Sequence, residues 1–401
     1  MQKKKVVLAY SGGLDTSFCV KYLSTEKNLD VYTILVNTGG YDPEELKHIE
    51  ERAKLLGARF HKHIDVTEAY YQKCIRYLIY GNILKNHSYP LSVGAERAFQ
   101  AMAVANFARK IKADFIAHGS TGAGNDQVRF DMNFHIMAPE IPILSPIRDQ
   151  KICREQAIEY LEKQGCLFNW EEARYSINKG LWGTSVGGKE TLTSNTPLSD
   201  SAYPTEMTEK NSVNIELHFQ KGQFTAYNHQ EFKTPIDAIT ALNALTAPFG
   251  IGRGIHVGDT IIGIKGRVGF EAAAPILIIK AHETLEKHVL TKWQIHCKEQ
   301  LANWYAMWLH EGHYLDPVMR DIEVFLEHSQ KTVNGTVYIK LSPFFFEIEG
   351  IDSPNDLMKV KFGQYGEMNS AWTGEEVRGF AKILSMQTRI HRAVNNEKEN
   401  S

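Results

Sequence analysis

Residues 11 to 17 read Ser-Gly-Gly-Leu-Asp-Thr-Ser, a run whose residue types suit the holding of a polyphosphate. Gly12 and Gly13 permit a tight turn that lets main-chain amides approach a charged ligand closely. A helix opening there adds unpaired N–H groups and the positive end of its dipole, and the hydroxyls of Ser11, Thr16 and Ser17 can donate as well. Asp15 would repel phosphate unless a Mg2+ ion lay between them, so the turn implies a metal–nucleotide ligand. The competing reading is an exposed Gly-Gly turn at a helix start. It is disfavoured because an apolar strand-like run precedes the turn and a helical pattern follows it. No lysine follows in the GK[ST] manner and the spacing is not G-x-G-x-x-G, so neither a P-loop nor a dinucleotide turn is indicated.

A second segment, His118 to Phe130, carries Thr121, Asn125, Asp126 and Arg129. A hydroxyl, an amide, an anion and a forked cation together suit the ammonium and carboxylate groups of amino acids. Taken alone, Asn-Asp after Gly is also ordinary turn chemistry. His310-Glu311-Gly312-His313 tempts a metal reading, but it is not H-E-x-x-H and follows Trp304, Tyr305 and Trp308, so packing and helix-end polarity explain it better. His61 and His63 alternate on a strand pattern as surface or site-edge residues, and no Ser-His-Asp arrangement is supported by spacing.

These segments need a rigid frame. The first third of the chain alternates strand and helix signals: strands near 6–10, 31–36, 58–64 and 115–117, with helices near 15–27, from Asp42 to Gly57, and near 96–112. That alternation predicts an α/β fold with a parallel, doubly wound sheet, and both motifs follow strand ends on the ligand-binding face. Between about 171 and 212 the texture turns to Gly, Ser, Thr, Asn and Pro, which reads as an irregular crossing. From 213 onward an α+β domain is expected, with strands near 213–219, 223–227, 335–341 and 344–349. Further β-rich stretches are expected at 255–264 and 275–280, and helices at 235–246, within 284–311 and at 317–330. A last amphipathic helix is expected over 374–391. The predicted domains are 1–170, 171–365 and 366–401.

The whole chain sets wider bounds. Its 401 residues, 43% apolar, can bury a large core, while 45 basic against 47 acidic residues leave no field that would gather nucleic acid or an anionic membrane. The basic start precedes an apolar run too short for a signal peptide, and no stretch is long enough to span a bilayer. Five cysteines without a C-x-x-C pair fit a reducing, cytoplasmic setting.

The first motif resembles the turn of the PP-loop superfamily, whose members split ATP between its α- and β-phosphates. Together AYSGGLDTS and HGSTGAGNDQVRF resemble the argininosuccinate synthase family, and Tyr175-Ser176, Ser185, FGIGRGIHVGD and YGEMNSAWTGEEVRGF follow in that family's order. The resemblance implies a ligase of arginine biosynthesis that joins citrulline to aspartate with Mg2+ and ATP, releasing AMP and pyrophosphate, and it implies a homotetramer. ATP would be held by Ala9, Tyr10, Ser11, Gly12, Gly13, Leu14, Asp15, Thr16 and Ser17, with main chain at Val36 and Gly119. Thr121, Asn125 and Asp126 would hold aspartate, and Tyr89, Asn125, Arg129, Ser176 and Ser185 citrulline. No catalytic side chain is assigned, because positioning and charge neutralisation can supply most of the rate.

Rival functions fit less well. A glutamine-fed amidotransferase needs a cysteine nucleophile that Met1-Gln2 does not offer, and an RNA-thiolating enzyme needs a cysteine pair and a basic surface. A nucleotide-sensing module would leave the segment from Asn125 to Arg129 unexplained. Three positions depart from the family pattern on the citrulline side: Gly94 replaces a hydroxyl residue, Gly258 a glutamate and Phe270 a tyrosine. Asp259 is the expected substitute for the lost carboxylate. The alternative expectation is a substrate whose α-amino group is acylated.

Overall fold

Val6, Val7 and Leu8 are all fully buried, which explains why the first strand reads as an unbroken apolar run rather than an alternating one. The computed structural model describes residues 3–168, 175–359 and 371–395. In it β1 (Lys5–Ala9), β2 (Asp30–Asn37), β3 (Phe60–Asp65), β4 (Phe115–Ala117) and β5 (Ile143–Leu144) form a parallel sheet in the order β3-β2-β1-β4-β5. Helices cover both faces. Val6 and Leu8 pack with Phe18 and Leu23 of α1 (Leu14–Thr25), whereas Val7 packs toward the opposite side with Ala101 and Val104.

The helix α2 (Pro43–Leu55) begins as its sequence signals require. Asp42 Oδ1 accepts from the amides of Glu44 and Glu45 at 2.9 and 2.8 Å, and the Glu45 carboxylate returns to the Asp42 amide at 3.1 Å. Such a box contributes on the order of 1 kcal/mol to holding the helix start. After β3 the chain forms α3 (Thr67–Tyr70), one π-helical turn and α4 (Arg76–Tyr80), and then α5 (Glu96–Lys110) packs on the sheet. Residues 118–130 are a loop only to Asn125. From Asp126 they enter α6 (Asp126–Met137), and α7 (Pro146–Asp149) and α8 (Arg154–Lys163) complete this part.

The irregular crossing expected over 171–212 contains a hairpin, β6 (Ser176–Gly180) and β7 (Gly183–Gly187). Gly-rich, polar strands give little apolar alternation, so the pattern concealed them. Beyond it come β8 (Val213–Gln220), β9 (Gln223–Tyr227), β10 (Gln230–Glu231), α9 (Pro235–Thr246), β11 (Arg253–Asp259) and β12 (Lys265–Glu271). The stretch 275–280, expected as β-rich, is instead part of α10 (Ala273–Val289). Pro275 sits in its first turn, where a missing N–H costs little, and Leu277, Ile278 and Ile279 are fully buried, so burial on all sides imitates a strand's apolar run.

Next follow α11 (Lys292–Glu311), α12 (Pro317–Ser329), β13 (Gly335–Ser342) and β14 (Phe345–Asp352). Two antiparallel sheets result, ordered β10-β9-β8-β13-β14 and β11-β12-β7-β6. Residues up to Asn355 belong to one compact unit and those from Asp356 to another. In the second, the single helix expected over 374–391 is two, α13 (Gly374–Leu384) and α14 (Met386–Val394), with no buried residue in either. The domain boundaries expected near 170 and 365 lie outside the described residues.

Candidate active site

The sheet order makes the junction between β1 and β4 the point where the chain reverses its direction of winding, and open α/β sheets bind ligands outside the strand ends there. Both sequence motifs leave these two strands. Gly12 has φ +77°, and a Cβ on it would lie 2.9 Å from Ile49, so backbone conformation and space both demand glycine. Its carbonyl accepts from Arg52 Nη1 at 2.6 Å, which pins the turn to α2. Gly13 precedes α1 without any side-chain cap, leaving the first-turn amides from Leu14 to Thr16 for a ligand. Ser11 and Thr16 hydroxyls lie 3.3 Å apart beside them.

The other residues of that turn divide by depth. Ala9 and Tyr10 contribute main chain, the Tyr10 amide being committed to Ile34 O at 2.9 Å and its buried ring packing edge-on against His61. Leu14 and Ser17 are buried beneath the turn, so the hydroxyl expected from Ser17 does not reach its outer surface. Val36 lies near the end of β2. Burial raises the Asp15 carboxyl above its ordinary range and Arg154 partly offsets that rise. Among the described residues no cluster of three or more His, Cys, Asp or Glu could hold a metal ion without help from a ligand.

Gly119 joins the two motifs. A Cβ there would come within 3.1 Å of Thr16 Cγ2 and 3.2 Å of its amide nitrogen, so the second segment rests directly on the first. His118 Nδ1 accepts from the Ser120 amide at 3.2 Å, which makes Nε2 the donor to Asp131 at 2.8 Å. Asp131 also takes Arg148 at 2.6 Å, so the strand exit is held on both sides.

Beyond it stands a chain of charges that spacing alone did not reveal. Asp126 accepts from Arg97 Nε and from Arg129 Nη1, each at 2.9 Å. Arg97 donates further to Glu96 and Gln100, both at 2.9 Å, and to Asn178 of β6 at 3.0 Å, while Glu96 accepts from Thr38 at 2.6 Å. Burial alone would raise the Asp126 carboxyl, but the two guanidinium groups outweigh it and hold it at about 2. Glu96 has no exposed surface, and burial raises its carboxyl to about 7 despite Arg97. The available signal was a Glu-Arg pair opening an Ala-rich helix that faces a sheet.

Arg129 completes the arrangement. Its Nε donates to His310 O at 2.8 Å and its Nη2 meets His310 Nδ1 at 3.2 Å. His310 is thus a buried partner of Arg129 at the end of α11; the expectation of helix-end polarity understated its place. Asn125 is less free than expected, for its Oδ1 accepts from the Ile261 amide at 2.8 Å and ties the turn after β11 to the second motif. Thr121 remains exposed nearby.

The hairpin sheet brings in the remaining residues. Asn178 pairs with Ser185, and Ser185 with Phe270, so these three side chains share a face with Ser176, two positions along β6. Asn178 reaches Arg97, which places that face toward the charged chain. Tyr89 is buried against it, its hydroxyl accepting from the Val93 amide at 3.3 Å and its ring stacking on His256 at 5.0 Å and near Phe270 at 5.4 Å. Asp259, the expected substitute for the lost carboxylate, lies on the opposite face with Lys265, 2.6 Å away, and is largely exposed. Strand alternation turns it away from the residues it was to join.

Known proteins share this arrangement of sequence. Residues 5–166 match the family model described as the arginosuccinate synthase N-terminal HUP domain, and residues 175–391 match the arginosuccinate synthase C-terminal domain. The argininosuccinate synthase of Dictyoglomus turgidum is 36% identical over 394 residues, covering 98% of each chain. That of Xanthomonas campestris is 35% identical over 407 residues, covering 98% of this chain and all of the relative. That of Methanocaldococcus jannaschii is 34% identical over 390 residues, with 96% and 97% covered. With a nucleotide-type turn at the switch point, a chain of paired charged side chains beside it and similarity along nearly its full length, the chain belongs to the argininosuccinate synthase family.

Proposed function

We propose that this chain is a carbon–nitrogen ligase that joins the ureido carbon of a citrulline-type substrate to the amine of aspartate, driven by cleavage of ATP to AMP and pyrophosphate. The observation that carries the reading is the contact between the two motifs at Gly119 and Thr16, which brings a phosphate-type turn against the segment ending in Asp126 and Arg129. The ureido oxygen attacks the α-phosphorus and pyrophosphate leaves; the aspartate amine then adds to the ureido carbon and AMP departs with its oxygen. The amine loses a proton, which the departing phosphate can take, so no side chain need serve as base.

The turn from Ala9 to Ser17, with main chain at Val36 and Gly119, is assigned to ATP. Thr121, Asn125 and Asp126 are assigned to aspartate. Asp126 has lone pairs left to meet an ammonium while Arg97 and Arg129 hold it ionised. Tyr89, Asn125, Arg129, Ser176 and Ser185 are assigned to the ureido substrate. Mg2+ is included because Asp15 is the carboxylate on the phosphate turn, and this ion is commonly held by one or two carboxylates plus substrate phosphates. Bound there, it would neutralise phosphate charge.

The division of a nucleotide part, 1–170, from a substrate part, 171–365, is supported by family matches that end at 166 and resume at 175, and the assembly role assigned to 366–401 by the separate compact unit that begins at Asp356. Homotetramer assembly is supported by the exposed apolar residues Val377, Phe380, Ile383 and Leu384 on α13. No helix among the described residues is long and apolar enough to cross a membrane. A cytoplasmic setting is supported by small-metabolite chemistry and five free cysteines.

The test is pyrophosphate release from Mg-ATP with aspartate and a ureido amino acid, free or acylated, added singly and together. Release should require the ureido compound, and condensation should require aspartate. Release indifferent to both sinks the reading, and unchanged turnover after chelation of Mg2+ sinks the metal's part in it.

A further inference from the structure

Among the described residues, no carboxylate at the end of the site beside Tyr89 is placed to meet a substrate ammonium. Gly258 lies on the same strand face as His256 and Phe270, and a Cβ built on it would fall 2.6 Å from His256 Nε2. The imidazole therefore already occupies the room a side chain at 258 would need. A Cβ on Gly94 would lie 3.2 Å from Arg129 Nη2 and 3.6 Å from His310 Nδ1, so a guanidinium and a second imidazole take that room. Phe270, 4% exposed, offers a ring without a hydroxyl.

The nearby carboxylates are committed elsewhere. Asp126, already held by Arg97 and Arg129, is the carboxylate assigned to the aspartate ammonium, and Asp259 pairs with Lys265 across the sheet from this face. Asp259 and Glu311 act on Lys85, whose ammonium in turn lowers the basicity of His256 and His310. Burial is the largest influence on both imidazoles and keeps them neutral, His310 at about 2. An incoming ammonium would meet Arg129 and two neutral rings with no anion among the described residues to pair with, and an unpaired buried charge is strongly disfavoured. An amide in its place has no charge to satisfy, offers a carbonyl to Arg129, and presents acyl carbons to Tyr89 and Phe270.

We infer that the ureido substrate of this chain is a citrulline acylated on its α-nitrogen, bound with the acyl group among Tyr89, His256 and Phe270. The inference rests on the proposed ligase activity and specifies its substrate class. The acyl amide is neither made nor broken; the bonds formed and broken are those of the ligation, and the product retains the acyl group. Lys85, whose backbone pairs with that of Tyr89 and whose charge acts on His256 and His310, favours an acyl chain bearing its own carboxylate as readily as a neutral one.

The full chain is assayed with Mg-ATP, aspartate and, in parallel, citrulline, Nα-acetylcitrulline or Nα-succinylcitrulline. One acylated form should exceed citrulline in kcat/KM by at least about tenfold, a floor well below the discrimination of a site built to pair one polar group. The acetyl and succinyl arms distinguish a neutral from an anionic acyl group, and a lead by either supports the inference. Equal or better use of citrulline overturns it while leaving the ligase reading intact, and turnover of none of the three overturns both. The double variant His256→Ala with Gly258→Glu opens room and supplies a carboxylate. Its ratio of citrulline to acylcitrulline use should rise by about tenfold or more. Because the ratio is taken on one protein, partial loss of folded enzyme cannot imitate the shift, and an unchanged ratio counts against the inference.

Discussion

Replacing Gly119 by alanine tests the contact on which the active site depends. The new methyl would stand 3.1 Å from Thr16 Cγ2, 3.2 Å from Thr16 N and 3.3 Å from the Asp15 carbonyl carbon. Comfortable carbon contacts begin near 3.5 Å, so the phosphate turn and the second segment must part by roughly 0.3–0.5 Å. The cost in stability should be about 1 kcal/mol, the low end for overpacking, since one methyl is added at an edge that can yield. The kinetic cost should be larger in proportion. A misplacement of about 1 Å can lower a rate on the order of 100-fold, so half of that predicts a fall of about tenfold in kcat/KM for ATP, or about 1.4 kcal/mol. The assay is steady-state pyrophosphate release over a range of ATP concentrations, with a thermal melt to confirm folding. Gly122→Ala in the same loop is the control, because its methyl would meet Arg148 Cγ at an ordinary 3.5 Å. A folded Gly119→Ala enzyme with wild-type kcat/KM for ATP, or equal losses in both variants, would refute the reasoning.

Two further outcomes follow from the charged chain. Folding raises the Glu96 carboxyl from 4.5 to about 7, so the native state holds a proton that the unfolded chain releases between those values. The associated stability is present in full below about pH 4.5 and is lost as pH rises through 7, about 3 kcal/mol in all. Urea unfolding from pH 5 to 8 should show a decline in the wild type that Glu96→Gln largely removes, and parallel profiles would contradict it. Arg129→Lys keeps the charge but loses the fork that reaches Asp126, His310 O and His310 Nδ1 together. It should lower kcat/KM for the ureido substrate about 30-fold, equivalent to about 2 kcal/mol. A lysine variant within twofold of wild type would show that the fork is not what matters.

Local chemistry was the most legible part of the sequence. The phosphate turn is confined to residues 11–17, and its strand before and helix after are signalled by neighbouring side chains; so is the cap at Asp42, which the structure forms as the residue types require. Elements whose pattern is ambiguous at short range were harder to read. Residues 275–280 look alike as buried strand or buried helix until the packing around α10 is known, and the hairpin β6–β7 carries too few apolar residues to register. Asp126 and Arg129 were legible as candidates because a helix start gathers their types within a few positions. Their partners were not.

By itself the sequence determined the nucleotide turn, the parallel character of the first sheet and the family, because each is written in residues adjacent along the chain, in the alternation of strand and helix, or in the order of motifs. Only the tertiary structure decided what those residues touch. Arg129 meets His310 from 181 positions away, Asn125 meets Ile261 from 136, and Arg97 meets Asn178 from 81. Strand register likewise set His256 and Gly258 facing the site and turned Asp259 to the other side. Contacts at such separation depend on where whole elements pack, and no local propensity encodes that.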